Sequence, residues 1–255
     1  MKLLLTNDDG FFAEGIQALA AHLKDEHEVW IVAPDKNRSA VSNGITMFEP
    51  LRIKKRGERV FSCSGMPVDC VIAALKSGLL GGMPDAVLSG INRGANMGTD
   101  ILYSGTCAGA RQAVLYGVPG IALSVRSHND EWQYDALAEF ARKNINSLMS
   151  LAKTANKDGS PNGECVFVNV NALSQKSYKG VKHASDLSFR EYGDSVTLVE
   201  GPDGDTYCFF CGGSIISHGS DASDNAICES GCIAVSCIHA EPCSYKVVDD
   251  FSFSL

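Results

Sequence analysis

Apolar residues fall in short runs and helical stripes that alternate through the first two thirds of the chain. Lys2–Thr6 carries three consecutive leucines, then turns polar at Asn7-Asp8-Asp9-Gly10. A short apolar run bounded by turn residues predicts a buried strand. In Ala13–Leu23, Ile16, Leu19, Ala20 and Leu23 recur at i, i+3, i+4 and i+7, which predicts a helix. Glu28–Ala33 is the next strand, stopped by Pro34, and a polar loop follows from Asp35 to about Asn43. Leu51–Lys55 and Arg59–Cys63, joined around Gly57, read as a hairpin. Pro67–Leu79 reads as a helix with proline in its first turn and Gly81-Gly82 closing it. Asp85–Ser89 predicts a strand, Thr106–Tyr116 a helix and Gly120–Val125 a strand. Tyr134, Leu137, Ala138, Ala141, Ile145 and Leu148 mark a longer helix, followed by a polar loop over Lys153–Gly163 and a strand at Cys165–Val170.

Repeated strand–helix–strand units predict an α/β fold: a Rossmann-like, mostly parallel sheet with helices on both faces. Beyond about residue 185 the pattern changes. Short β-like segments at Ser195–Glu200, Tyr207–Cys211 and Cys232–Cys237 are separated by Gly- and Asp-rich turns. The expected division is an α/β catalytic core over 1–185 and a smaller β-rich extension over 186–255.

At 255 residues the chain is long enough to bury a core without staples. Its net charge of -8 excludes the broad basic face that nucleic acid or an anionic membrane requires. No apolar run reaches the ~18–20 residues of a membrane span, and three leucines are too few for a signal-peptide core, so a cytoplasmic location is the expectation. In that setting the ten cysteines read as thiols. Cys208-x-x-Cys211 with Cys228 and Cys232 has a faint zinc-ribbon spacing, but i and i+3 on a regular strand face opposite ways, so small buried hydrophobes are the preferred reading.

In an open parallel sheet, ligands bind beyond the carboxyl ends of the strands. Three polar loops occupy those positions: Asn7-Asp8-Asp9-Gly10, Pro34-Asp35-Lys36-Asn37-Arg38-Ser39 running on to Asn43, and Gly90-Ile91-Asn92-Arg93-Gly94-Ala95-Asn96. Two adjacent carboxylates repel by about 1 kcal/mol in water at 4 Å, and by more when partly buried. A divalent cation reverses that sign. With Ser39 and Asn92 as neutral oxygen donors, Asp8 and Asp9 make an all-oxygen set suited to Mg²⁺ or Mn²⁺. Asn-Asp-Asp-Gly taken alone is also an ordinary turn with a helix N-cap. Ser104-Gly105-Thr106, opening a helix after Tyr103, offers unpaired N–H groups and hydroxyls to a phosphate, or simply a cap. No Walker lysine and no Gly-x-Gly-x-x-Gly after the first strand is present, which weighs against an ATPase or a nicotinamide enzyme. His128, beyond the Gly120–Val125 strand, and His239 are weaker candidates for an acid at the rim. Lys36 and Arg38 are either anion guides or solvated charges, and Trp132 and Tyr103 either stack on a base or pack.

Together these stretches resemble the SurE family of survival-protein nucleotidases. Leu5-Thr6-Asn7-Asp8-Asp9-Gly10, Ala33–Ser39, Ser89–Gly98, Tyr103–Thr106 and Gly65-Met66-Pro67-Val68-Asp69-Cys70-Val71 match in order and spacing over roughly residues 1–130. The resemblance implies a metal-dependent phosphatase of nucleoside 5′- and 3′-monophosphates, with one Mg²⁺ or Mn²⁺ per subunit held by Asp8, Asp9, Ser39 and Asn92. It places Asn43, Asn96, Ser104, Gly105 and Thr106 near the substrate phosphate. It also implies a homo-oligomer, dimeric or tetrameric, whose C-terminal region exchanges elements between subunits. Gln112 stands where family members commonly carry an acidic residue, and the C-terminal half matches only loosely. Whether Asp8 or Asp9 serves as general base or nucleophile stays open. The competing readings are a nucleotide-binding module without turnover and an aspartyl phosphatase of haloacid-dehalogenase type. The latter spaces its two aspartates by one residue, whereas here they are adjacent.

Overall fold

A computed structural model describes residues 1–156, 160 and 162–242. A nine-stranded sheet forms its centre. In chain order the elements are β1 (Lys2–Thr6), α1 (Glu14–Leu23), β2 (Glu28–Pro34), β3 (Ile53–Lys55), β4 (Val60–Cys63), α2 (Pro67–Lys76) and β5 (Ala86–Arg93). A 3₁₀ turn (Gly98–Leu102), α3 (Gly105–Leu115), β6 (Gly120–Arg126), α4 (Asp135–Leu151) and β7 (Val166–Leu173) follow. The remainder holds β8 (Val181–His183), β9 (Phe189–Tyr192), β10 (Ser195–Glu200), β11 (Thr206–Cys211), β12 (Ile215–His218), α5 (Asp224–Glu229) and β13 (Ile233–His239). The sheet order is β3-β4-β2-β1-β5-β6-β7-β13-β8. From β4 to β7 all neighbours are parallel, while β3 and β13 pair antiparallel with β4 and β7.

The leucines of β1 show why the run is continuous. Leu3 and Leu5 pack under α1 and α4, with Ile16, Leu19 and Leu137, while Leu4 faces α2 with Val71 and Ala74. Alternate residues of a strand point to opposite faces, so helices on both sides demand apolar residues at every position. α3 covers the same side as α2 through Cys107, Ala110 and Val114 against Ala122 and Phe167.

Two boundaries differ from the sequence pattern in ways that matter. The strand expected to stop at Ser89 runs on to Arg93 through an irregularity between Ser89 and Asn92. Gly90, at φ 134°, permits it, because a Cβ there would lie 2.2 Å from the Leu123 carbonyl oxygen. Asn92 and Arg93 therefore sit on a strand end, not in a loop. The stretch 186–255 is also not separate throughout: β13 is an inner strand of the main sheet, and α5 packs beneath it with Ile227 and Cys228 beside Cys232 and Ala234. Only β9–β12 form separate two-stranded pairs. Helix α5 and strands β8, β9 and β12 went unpredicted because each is too short to show a period. Parts of the Lys153–Gly163 loop, and Cys243 with the tail after it, lie outside the described residues.

Candidate active site

β1 delivers Asp8 to the sheet's carboxyl edge. The preceding Asn7 shapes the turn: its Nδ2 donates to the Gly10 carbonyl at 2.8 Å and its Oδ1 accepts from the Gly10 N–H at 3.2 Å. Asp8 is 3% exposed. Its Oδ1 accepts from the Thr106 hydroxyl at 2.5 Å and its Oδ2 from the Thr106 N–H at 3.2 Å. The first turn of α3 thus clamps this carboxylate. Gly105 allows the approach, since a Cβ there would lie 2.9 Å from the Asp8 Cβ and 3.0 Å from Oδ2. Asp9 turns the other way and accepts from the Arg93 N–H at 3.0 Å.

Burial pushes the Asp8 carboxyl up to about 6; the Thr106 hydroxyl opposes that rise and the charge of Asp9 adds to it. Asp9 is also raised, by burial first, with Arg93 opposing. Among the described residues neither carboxylate is in an ion pair. Hydrogen bonds from Thr106 meet the charge of Asp8, and the Arg93 N–H with the more distant Arg93 charge meets that of Asp9.

The loop after β2 is tied to the same edge. The Arg38 N–H donates to the Asp8 carbonyl at 2.6 Å, and the Ser39 N–H to Asn37 Oδ1 at 2.8 Å. Ala40 and Ser42 have φ of 58° and 53°, unfavourable for side chains with a Cβ. Ser42 is held there by its N–H to the Tyr103 carbonyl (2.9 Å) and its hydroxyl to the Leu102 carbonyl (2.7 Å). The 3₁₀ turn therefore fixes the loop that carries Ser39. Asn92 donates to the Gly94 carbonyl at 2.8 Å. Asn96 is anchored from below, its N–H to Asn171 Oδ1 and its Nδ2 to Ser124 Oγ, both at 2.8 Å.

These loops enclose a cavity of 410 Å³ lined by Asp8, Ser39, Asn92, Asn96 and Ser104, together with Ala40, Arg93, Asp100, Tyr103, Tyr192 and Asp194. That volume falls within the ~300–1,000 Å³ of small-molecule sites. Asp9 faces the adjoining smaller cavity with Asn37 and Arg93.

The family model for survival protein SurE matches residues 3–194. The chain belongs to the SurE family. Similar curated proteins include the 5′-nucleotidase SurE of Treponema pallidum, 48% identical over 184 residues covering 70% of this chain and 93% of that one. The 5′-nucleotidase SurE of Geotalea daltonii is 36% identical over 248 residues, covering 97% and 96%. The crystal structure of the SurE protein from Aquifex aeolicus superposes with a TM-score of 0.78 at 30% identity, covering 97% of each chain.

Within this SurE-family chain the remaining candidates are placed unevenly. Thr106 spends both donors on Asp8, so it positions the carboxylate, where the sequence suggested a donor to phosphate. Ser104 caps α3, accepting from the Cys107 N–H at 3.0 Å. Asn43 is exposed and outside the cavity lining. Arg38 donates from its guanidinium to the Ser64 carbonyl at 2.5 Å and braces the loop. His128 pairs with Glu229 at 3.2 Å, away from the cavity, and His239 lines a different cavity beside Arg111. Trp132 sits under the Arg93 guanidinium at 4.9 Å, outside the lining, while Tyr103 lines it. Cys208 and Cys211 lie on β11 opposite Leu198 and Ser195, whereas Cys228 and Cys232 pack around Met97. Gln112 is buried.

The pattern gave no sign of Asp100, Tyr192 or Asp194. Tyr192 and Asp194 enter from β9 and the turn after it, and only long-range packing brings them to the cavity. The Tyr192 hydroxyl donates to Asp100 Oδ1, and Arg190 pairs with Asp100 Oδ2 at 3.2 Å.

Proposed function

We propose that the chain is a divalent-metal-dependent phosphomonoesterase that hydrolyses nucleoside 5′- and 3′-monophosphates to nucleoside and phosphate. The observation that carries this reading is the buried Asp8 carboxylate beside the half-buried Asp9, both raised and neither in an ion pair among the described residues, with Asp8 lining a cavity of small-molecule size. A buried charge is normally paired or coordinates a metal. The donors fit such an ion: Asp8, Asp9, Ser39 and Asn92 are all oxygen ligands, and among the described residues no group of three or more His, Cys, Asp or Glu offers a competing site. One Mg²⁺ or Mn²⁺ per subunit would offset phosphoryl charge and supply an activated water.

The chain's own groups do the positioning. Thr106 holds Asp8 ionised and oriented by two donors. Because Thr106 N–H serves Asp8 and Cys107 N–H serves Ser104, the Gly105 N–H remains as the first-turn donor of α3 for a phosphate oxygen. Asn96, fixed by Ser124 and Asn171, presents a polar wall that needs no reorganisation. Fixed donors of this kind supply most of the catalysis in phosphoryl transfer.

The test is release of inorganic phosphate from AMP, 3′-AMP and p-nitrophenyl phosphate, with and without Mn²⁺ or Mg²⁺. Metal-dependent release is expected. Nucleotide binding without release would replace this reading with a binding module. A phosphorylated aspartate trapped by rapid quench would favour the aspartyl-phosphatase route.

The protein is further proposed to act as a cytoplasmic homo-oligomer, a dimer or tetramer. Support comes from the β10–β11 pair, where Val196, Leu198, Val199, Tyr207, Phe209 and Phe210 are exposed. No described helix is long and apolar enough to cross a membrane.

A further inference from the structure

The cavity is lined by two chemically different sets of residues. Asp8, Ser39, Asn92, Asn96 and Ser104 are the polar set. Opposite in character are Tyr103, 54% exposed, and Tyr192, whose rings meet edge-on with centroids 6.4 Å apart, with the exposed Asp194 beside them.

The placement of Tyr192 is built, not incidental. The buried Asp224 at the start of α5 accepts from the Gly98 N–H at 2.7 Å and from the Ser188 N–H and hydroxyl at 2.9 and 2.7 Å. Gly98 lets β9 approach, because a Cβ there would lie 1.7 Å from the Ser188 carbonyl oxygen. Two residues on, Arg190 is 5% exposed; its N–H donates to Thr99 Oγ1 at 3.0 Å, and its guanidinium holds Asp100 and donates to Ser217 Oγ at 2.7 Å. Asp100 in turn accepts from the Tyr192 hydroxyl. A chain of buried and half-buried polar contacts thus orients one aromatic ring in the lining of the cavity that also presents Asp8, Ser39 and Asn92.

We propose that Tyr103 and Tyr192 form the nucleoside half of the site, with a base packing against the tyrosine rings and Asp194 accepting from ribose hydroxyls. This rests on the nucleotidase reading and adds its specificity determinants. Aromatic faces bind any base, so the expected selectivity is for nucleotides over other phosphomonoesters, with weak discrimination among bases.

The experiment compares kcat/KM for AMP with that for ribose 5-phosphate, which lacks the base, in wild type, Tyr103→Ala, Tyr192→Ala and Tyr192→Phe. The AMP to ribose 5-phosphate ratio should fall about tenfold in each alanine variant, the size of one lost base–aromatic stack, chiefly through KM for AMP. Tyr192→Phe keeps the ring and should retain most of the ratio. Asp194→Asn, which weakens the acceptor for the ribose hydroxyls, should raise KM for AMP and for ribose 5-phosphate alike while leaving that for p-nitrophenyl phosphate unchanged. Ratios unchanged in both alanine variants would overturn the proposal while leaving the nucleotidase reading intact. A wild type that cleaves neither phosphate ester would instead remove that underlying reading.

Discussion

Burial raises the Asp8 carboxyl to about 6, while Thr106 pulls the other way and Asp9 adds repulsion. A carboxyl whose folded value lies above its unfolded value of 3.8 stabilises the fold when protonated. That contribution is complete below pH 3.8 and is lost as pH rises through about 6, amounting to roughly 3 kcal/mol. Through this group the metal-free protein is therefore expected to melt lower at pH 7.5 than at pH 5, and Mn²⁺ to raise Tm more at pH 7.5. Asp8→Asn should raise the metal-free Tm at pH 7.5 by several degrees while removing both the Mn²⁺ response and phosphate release. The amide can keep both contacts, accepting from the Thr106 N–H and donating to its hydroxyl. A variant as responsive to Mn²⁺ as wild type, in calorimetry at pH 7.5, would strike Asp8 from the ligand set. Thr106→Val removes the hydroxyl donor. It should weaken Mn²⁺ binding by about 10–100-fold in titration calorimetry, the usual size for an outer partner of a metal ligand.

At the scale of elements, the site depends on how closely α3 meets β1. Gly105→Ala puts a Cβ against Asp8 and the Pro67 ring. The expected loss is about 1–3 kcal/mol in urea unfolding together with a fall in kcat, since the clamp on Asp8 must shift. On the other face, Gly15 lies where a Cβ would be 1.8 Å from the Ile91 carbonyl oxygen, so α1 packs directly on the irregular part of β5. The elements that face helices on both sides were legible because the middle of β1 (Leu3, Leu4 and Leu5), and much of β5 and β6, had to be apolar. The end of β5 was not. Gly90 reads locally as a strand stop, and only the neighbouring Leu123 backbone shows that the chain continues as a strand to Arg93.

Across the whole molecule, Asp224 joins the C-terminal third to the cavity. It lies 126 residues from Gly98 in the chain and holds that residue and Ser188 in place. Asp224→Asn leaves one of these buried donors unsatisfied. It should cost about 1–3 kcal/mol by chemical denaturation and raise KM for AMP, because β9 then carries Tyr192 less firmly. Exposed apolar residues on both faces of β10–β11 lead to a second expectation at this scale. Sedimentation equilibrium should give a mass above the 27.2 kDa monomer, and Leu198→Lys with Phe210→Lys, which share one face, should shift the population toward that monomer.

The order of strands and helices through residue 173, the loops that carry Asp8, Asp9 and Ser39, and the family itself were all readable in the sequence. Those features depend on local patterns and on residues close together in the chain. Tertiary structure decided that β13 returns to the main sheet between β7 and β8, that Thr106 grips Asp8, and that Tyr192 and Asp194 reach the cavity. Each of these rests on contacts between distant segments, formed by single polar groups and short strands. Such contacts leave no period in the sequence, because the side chains that make them are chosen by what lies opposite in space.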